Sequence, residues 1–480
     1  MEIQYGILKK IEASDIKDGI LYLPESILSI GEGVIQNQSE LIKVVAPGLI
    51  ALKNKNCYQC DALTCFEAPL LENIGNENFY ECSALTEFEA PILTTIGNRN
   101  FYECNAIIEF EAPKLTTIGT YNFYRCNALT AFESPMLTSV EHHIFRECNA
   151  LTRFSAPVLT TIGDDNFGFC KALISFEAPM LTSMRNDNFY SCDALTDLVI
   201  PGLNEIGNKN FYECDTLTHF EAPMLTDMRD FNFRCCGVLT NFKTPELKWI
   251  RDDNFKECTV LTHFEAPMLT TIGDFNFRYC DALTNFKAPE LTLLGNDNFI
   301  NCDALTRFEA PELITIGNYN FRACDALTTV QFGTYQYAVK SADGLLTIIE
   351  RSKTVNGIEI HSGFIFNDCN EGVPDLSETF LVEKEGFFAH GETLKKAMED
   401  LQFKIVAETI KEEPIHEATV ITAAYYKAIT GACEQGIKNW QEQNNITVES
   451  LTAKELLPIL EKTNAYGIAK FKALLAFEKS

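Results

Sequence analysis

Three groups of residues in this chain have the types and spacing of reactive sites. Cys57-Tyr58-Gln59-Cys60 has the C-x-x-C spacing of zinc and redox centres, with Cys65 close behind. His219 and His263 are imidazoles in two nearly identical segments, and His390 with Cys433 offers the parts of a thiolate–imidazolium nucleophile. Each group also has a structural reading. No second ligand pair accompanies Cys57 and Cys60, so a metal site is not expected there. Neither an oxyanion-hole motif nor a third group accompanies His390 and Cys433, so catalysis is not expected and no cofactor is called for. Cys433 reads as packing on a helix, His390 as the junction between a strand and a helix, and Trp440 as an anchor for helix packing.

The elements that must position these residues come from one repeat. A cysteine recurs every 22 residues from Cys60 through Cys82 and Cys104 to Cys324, thirteen positions in one register. Phenylalanine keeps step from Phe79 to Phe321, and proline from Pro69 to Pro311. A period this strict means that each unit solves the same packing problem against its neighbours, as in a stacked solenoid. Cys60 belongs to the ladder and Cys57 stands at the Phe79 position. His219 and His263 lie two units apart, about 10 Å at the spacing of stacked strands, too far to share one ion. The likeness of their segments points to a recent duplication.

Within the unit Ala84 to Asn105, Leu85, Phe88 and Ala90 are the inward members of a short strand and Thr86, Glu87 and Glu89 its polar members. Pro91 lacks a backbone donor and ends the ladder. Leu93 and Ile96 form a second inward pair, Gly97 permits a turn, and Asn98 and Asn100 suit turn chemistry. Arg185, Arg229 and Arg251 replace Gly97 elsewhere, so a positive φ is not required there. Swaps such as Met184 and Met228 for Ile96 keep the core apolar. Weaker copies begin near Leu23-Pro24 and Ala46-Pro47, as in a capping region.

The unit Leu-Thr-x-Phe-Glu-Ala-Pro-x-Leu-Thr-x-Ile-Gly-x-x-Asn-Phe-x-x-Cys resembles the BspA-type leucine-rich repeat of bacteria over residues 19 to 330. The resemblance implies a right-handed curved stack with one short strand per repeat in a parallel sheet, and binding or adhesion rather than catalysis. Asn-Phe stands where the family has Ala-Phe, and the secretion signal common in surface members is absent from the start of this sequence.

The formal charge is −28; residues 341 to 480 carry 14 Lys+Arg against 22 Asp+Glu, which leaves 25 against 45 for the remainder. Such a surface repels phosphate backbones and anionic lipid, so neither nucleic acid nor membrane is an expected partner. No run approaches the ~20 apolar residues that cross a bilayer. The protein is expected to stay in the cytoplasm, with a phage particle or non-classical export as alternatives. In that compartment the cysteines are expected to be reduced, buried and small.

Stacking turns outward positions into columns. One reads Glu67, Glu89, Glu111, Glu133, Ser155, Glu177, Val199, Glu221, Lys243, Glu265, Lys287, Glu309; its first four members repel, and its last five alternate in sign. The next reads Cys65, Glu87, Glu109, Ala131, Arg153, Ser175, Asp197, His219, Asn241, His263, Asn285, Arg307. The acidic, arginine and histidine members of both columns, without Lys243 and Lys287, are the expected partner-binding residues, and a protein with a basic surface is the expected partner. The competing reading is a solvated charged face that prevents nonspecific adhesion.

After Val330 the period stops. Leu345–Ile349 and Gly357–Ile360 read as strands around Val355-Asn356-Gly357, with Gly363–Phe366 as a further strand. Helical periodicity begins at Leu394, Met398, Leu401, Ile405 and Ile410, continues from Val420 to Trp440, and returns at Ala453 to Leu460 and Ala465 to Phe477. The expected organisation is an α+β chain: an N-terminal cap with degenerate repeats at 1–58, the solenoid at 59–330, a β-rich connector at 331–390 and a helical domain at 391–480. The strings Phe388 to Leu394 and Ile429 to Cys433 resemble a domain found in uncharacterised proteins of gut Bacteroidetes and their phages. Self-association through this domain, a catalytic role for it with the solenoid as a targeting arm, and a structural or adhesion role in a phage or secreted particle are the alternatives to a simple protein-binding scaffold.

Overall fold

The computed structural model describes residues 1–332, 335–370, 373–410 and 413–476. It separates into two compact units, Met1–Ser341 with Asn367–Asp375, and Ala342–Phe366 with Leu376–Ser480. The first is a solenoid in which fifteen rungs follow one another. The spacing is 22 residues, so Phe88 pairs with Phe66 and Ile96 with Ile74. Each rung has two strands where one was expected. A three-residue strand such as Glu87–Glu89 and a two-residue strand such as Thr95–Ile96 build separate parallel sheets. Antiparallel pairs occupy both ends: Glu2–Gln4 with Ile7–Lys10 at the start, and Thr329–Phe332 with Tyr335–Ala342 at the finish.

The remainder of each rung is a turn of alternating handedness. Arg99, Phe101 and Glu103 have φ of 55°, 54° and 55°, and Gly97 does not need one, as its arginine equivalents imply. Left-handed non-glycine residues are costly, and the same three positions adopt that conformation in nearly every rung. The alternation gives the N–H groups opposite directions. Arg99 and Glu103 donate to Thr120 and Tyr124 of the following rung, whereas Phe101 donates to Asn78 of the preceding one. These bonds offset the strain by linking neighbours where no strand exists.

Asparagine completes the linkage. Asn100, expected in a turn, is fully buried, as are Asn78, Asn122 and Asn210. The Asn100 Oδ1 accepts from the backbone N of Asn78 at 2.8 Å, and Asn100 N donates to the Asn122 Oδ1 at 2.8 Å. Its Nδ2 donates to the Gly75 carbonyl. A second, outer ladder runs the other way: Asn98 N donates to Asn76 Oδ1, and Asp252 N to Asp230 Oδ1. The outer position needs only an acceptor, so aspartate and even His142 serve there. The inner position must also donate, which aspartate cannot do. The Asn-Phe pair that departs from the family pattern is therefore a core feature.

Apolar columns fill the space between the ladders. Phe79 and Phe101 stack with ring centroids 5.1 Å apart, and Phe88 meets Phe101 edge-on at 4.9 Å. Each ladder thiol adds a hydrogen bond, Cys104 Sγ donating to the Phe79 carbonyl at 2.9 Å. The cysteines are thus buried donors as well as small apolar groups.

In the second unit, Leu345–Val355 pairs antiparallel with Ile358–Asn370 about Asn356 and Gly357, whose φ values of 52° and 74° suit a two-residue hairpin. Gly363–Phe366 belongs to that second strand and does not form a further one. Strands Val373–Lys384 and Phe387–Gly391 were not anticipated. Helix α1, Leu394–Ile410, packs Ala397 and Leu401 against Ile360, Val382 and Ala389. The periodicity from Val420 to Trp440 is not one helix: strand Val420–Thr422, α2 (Ala423–Thr430) and α3 (Glu434–Gln443) share it, divided at Gly431 with φ 74°. Helices α4 (Ala453–Thr463) and α5 (Ile468–Ala473) follow; Phe477 lies outside the described residues. Trp440 packs on the helical core and donates from Nε1 to the Thr463 Oγ1 at 3.1 Å.

The ladders make a specific demand on stability. Asn210→Ala leaves the buried Asn188 N–H and the part-buried Arg185 carbonyl without their partners, a loss of about 3 kcal/mol, whereas Asn208→Asp in the outer ladder changes stability by less than about 0.5 kcal/mol. Urea unfolding of the two variants measures the contrast.

Candidate functional site

The outward columns lie in the register that stacking requires. Glu89 pairs with Glu67, Glu133 with Glu111 and Ser155, and His219 with Asp197 and Asn241. Asn241 stands between His219 and His263 in the column, so the structure does not bring the two imidazoles together. His219 instead lies 3.5 Å from Glu221.

Ion pairs divide the face. Lys43 bridges to Glu67, Arg153 lies 3.5 Å from Glu133 and 3.9 Å from Glu177, and Ser155 donates to Glu177 at 2.9 Å. In the second half Lys243 neighbours Glu221 at 3.8 Å and pairs in register with Glu265, while Lys287 reaches Glu309 at 3.9 Å and Arg307 also contacts Glu309. Among the described residues, Glu87, Glu89, Glu109 and Glu111 form no salt bridge. All four are exposed.

The long-strand sheet is interrupted between Glu87–Glu89 and Glu109–Glu111. There the surface opens into a cleft of roughly 310 Å³ lined by Glu67, Glu87, Glu89, Glu109, Glu111 and Phe88. Phe88 is only half-buried, unlike Phe66 and Phe132 in the same column. Repulsion among the four carboxylates favours separation of these strands. A second interruption, between Ser175–Glu177 and Asp197–Val199, lacks such a cluster, so charge alone does not account for both. The cleft combines carboxylates with the apolar surface of Phe88, whose ring faces stack on Phe66 and Phe110; the carboxylates are the chemistry that accepts an ammonium or guanidinium group.

The sulfur sites sort by burial. Cys57, Cys60 and Cys65 are buried; the Cys57 carbonyl accepts the Cys82 thiol, and burial drives the Cys57 thiol well above the ordinary range. Such a group opposes the thiolate a metal requires. Cys433 is exposed and is not within a helix. It caps the N-terminus of α3, where its Sγ accepts from Gly436 N at 3.3 Å. It lies on the wall of an apolar hollow of about 490 Å³ formed with Tyr426, Ile437, Trp440, Leu456 and Leu460. His390 is the penultimate residue of strand Phe387–Gly391, at the strand-to-helix junction as expected, with Nε2 2.8 Å from the Thr347 Oγ1; burial holds the ring below its ordinary pKa, reinforced by Lys404 and opposed by Asp343. Among the described residues no hydrogen bond joins His390 to Cys433. No helix among them is long and apolar enough to cross a membrane.

A family sequence profile described as "BspA type Leucine rich repeat region (6 copies)" matches residues 16–108, 72–196, 138–262, 182–303 and 248–371. Solved structures similar to the chain include a leucine-rich repeat protein from Bacteroides ovatus, 18% identical over 68% of this chain and 94% of that one, with a TM-score of 0.46. A leucine-rich cell surface protein from Faecalibacterium prausnitzii is 19% identical over 66% and 88%, with a TM-score of 0.31. The pneumococcal vaccine antigen PcpA is 13% identical over 56% and 77%, with a TM-score of 0.24. No curated protein matches.

The thiol ladder makes the fold sensitive to alkali. Burial raises Cys148 and Cys214 to about 12 and drives Cys104, Cys126, Cys170 and Cys192 upward. These thiols stay protonated when folded and ionise once unfolded, so their stabilisation is complete below pH ~9 and is lost as pH rises toward ~12. One unit above its unfolded pKa, each withdraws about 1.4 kcal/mol. Far-ultraviolet circular dichroism is expected to show cooperative unfolding in this window, displaced to higher pH when Cys148, Cys170 and Cys192 are replaced by alanine. At pH 8, dithionitrobenzoate is expected to react first with Cys433, and Cys433→Ser to remove that fastest phase.

Proposed function

Since the chain belongs to the BspA-type leucine-rich repeat family, we propose that it is a protein-binding scaffold that engages a basic partner segment along the long-strand face, centred on the cleft at Glu87, Glu89, Glu109 and Glu111. The observation that carries this reading is the coincidence of three features at one place: an interruption of the sheet, four carboxylates without salt bridges, and a partly exposed Phe88. A lysine or arginine side chain entering there meets opposite charge on both walls, and its aliphatic stem meets the apolar surface of Phe88 below. The flanking Glu67 and Glu133 are engaged by Lys43 and Arg153, which confines the attraction to about two rungs. The alternating half, from Glu221 to Glu309, supplies shape and polar contacts more than net charge, because its members neutralise one another.

A fluorescein-labelled peptide of alternating lysine and alanine is a suitable probe, titrated by fluorescence anisotropy in 50 mM and 300 mM salt. The fourfold variant E87Q/E89Q/E109Q/E111Q is expected to bind at least tenfold more weakly at low salt, and the difference is expected to shrink at high salt as screening shortens the Debye length. The control variant E265Q/E309Q is expected to retain binding. Equal affinity in all three proteins would sink the proposal.

A further inference from the structure

A second candidate site lies in the unit that follows the solenoid and is independent of the acidic cleft. Strand Ile358–Asn370 places Glu359 and His361 two residues apart, hence on one face of the sheet. Ile360 between them turns to the opposite face, where it packs with Ala397 and Leu401 of α1. The adjoining strand Val373–Lys384 adds Glu383, next to Val382 of that same core, so Glu383 shares the face of His361. One ligand atom from each of Glu359, His361 and Glu383 falls within 4.8 Å of the other two.

The imidazole is set as a ligand requires. His361 is 9% exposed, which makes it the buried member of the group, while Glu359 is open to solvent and Glu383 intermediate. Its Nδ1 lies 2.7 Å from the Oγ of Ser352, directly across the hairpin in the ladder. When Nδ1–H donates to that hydroxyl, the lone pair is on Nε2, the nitrogen 3.6 Å from Glu359 Oε2. Metal-binding histidines are oriented in this way by a partner on the other ring nitrogen. Two ligands of a tetrahedral zinc ion, each 2.0–2.2 Å from the metal, lie about 3.3–3.6 Å apart; the Glu359–His361 pair is at 3.6 Å, and Glu383, within 4.8 Å of both, would close on the ion by side-chain rotation.

We propose that Glu359, His361 and Glu383 bind one divalent first-row metal ion of the zinc type, with Ser352 as the residue that positions His361. The nitrogen–oxygen donor set and the exposed Glu359 side, which leaves room for water as a further ligand, both fit that ion. Binding would tie the strands carrying Glu359, His361 and Glu383, a link that the repeat itself does not provide.

Co²⁺ tests this on the full chain after dialysis against a chelator, because its visible spectrum separates nitrogen and oxygen ligands from thiolates. The expected result is one Co²⁺ per chain, without a thiolate charge-transfer band and displaced by Zn²⁺, with the melting temperature raised by the metal. H361Q and E383Q are expected to weaken binding at least 100-fold and S352A about tenfold. E359Q, at an exposed position, carries the test if a buried variant fails to fold, and is expected to weaken binding at least tenfold. No binding by the wild type overturns the proposal, as does binding unchanged by these substitutions or abolished by C433S.

Discussion

Nearly every rung of the solenoid presents the same donors and acceptors to the rung that follows, and the buried amide ladder enforces this. Asn100 gives its Oδ1 to the preceding rung and its N–H to the following one, while Nδ2 satisfies the Gly75 carbonyl. A buried amide with this many fixed partners admits one orientation. The outer ladder runs in the opposite direction, so each turn is held from both sides. Phe101 at positive φ then directs its carbonyl to the Cys126 thiol. Asparagine, phenylalanine and cysteine are thus one device, and a residue inserted between them would break three contacts at once.

Much of this was legible from the period. The inward apolar positions, the end of the long strand at proline, the dispensable glycine before the turn and the hairpin at Asn356-Gly357 all appear as the residues suggest. The second sheet was not legible, because Thr95–Ile96 is only two residues long and gains its identity from the rungs beside it. Nor does Arg-Asn-Phe-Tyr-Glu mark alternating handedness, since none of its members prefers φ above zero strongly enough. Asn100 was legible as a turn residue but not as a buried one, because an amide suits an exposed turn and a buried ladder equally. In the helical part, amphipathic periodicity ran through Gly431 without a visible break; a thiol at the N-cap is also not among the usual signals.

The candidate surfaces divide in the same way. Columns follow from register, so the repelling glutamates could be named from the sequence. Their separation into a cleft could not, for Glu111 and Glu133 have the same chemistry and remain paired. Only the ion pairs from Lys43 and Arg153 show which part of the strip stays acidic. Glu359 and His361 are visible in sequence as neighbours on one face of a strand. Glu383, 22 residues beyond His361 by coincidence and outside the repeat, joins them through strand order alone.

The core also shows why the outer columns can vary. Ile144 replaces asparagine in the inner ladder, yet its N–H still donates to Asn166 Oδ1, and Asn122 on the other side retains its bond to the Gly97 carbonyl. One missing side chain removes one link and leaves the links beyond it in register. Stability in such a stack is a sum of neighbour terms rather than a single cooperative core. A surface column contributes almost none of those terms, so exchanging Glu89 for the lysine found at 243 leaves the amide, thiol and ring ladders intact. The fold consequently fixes where each outward side chain stands while leaving its identity free to vary.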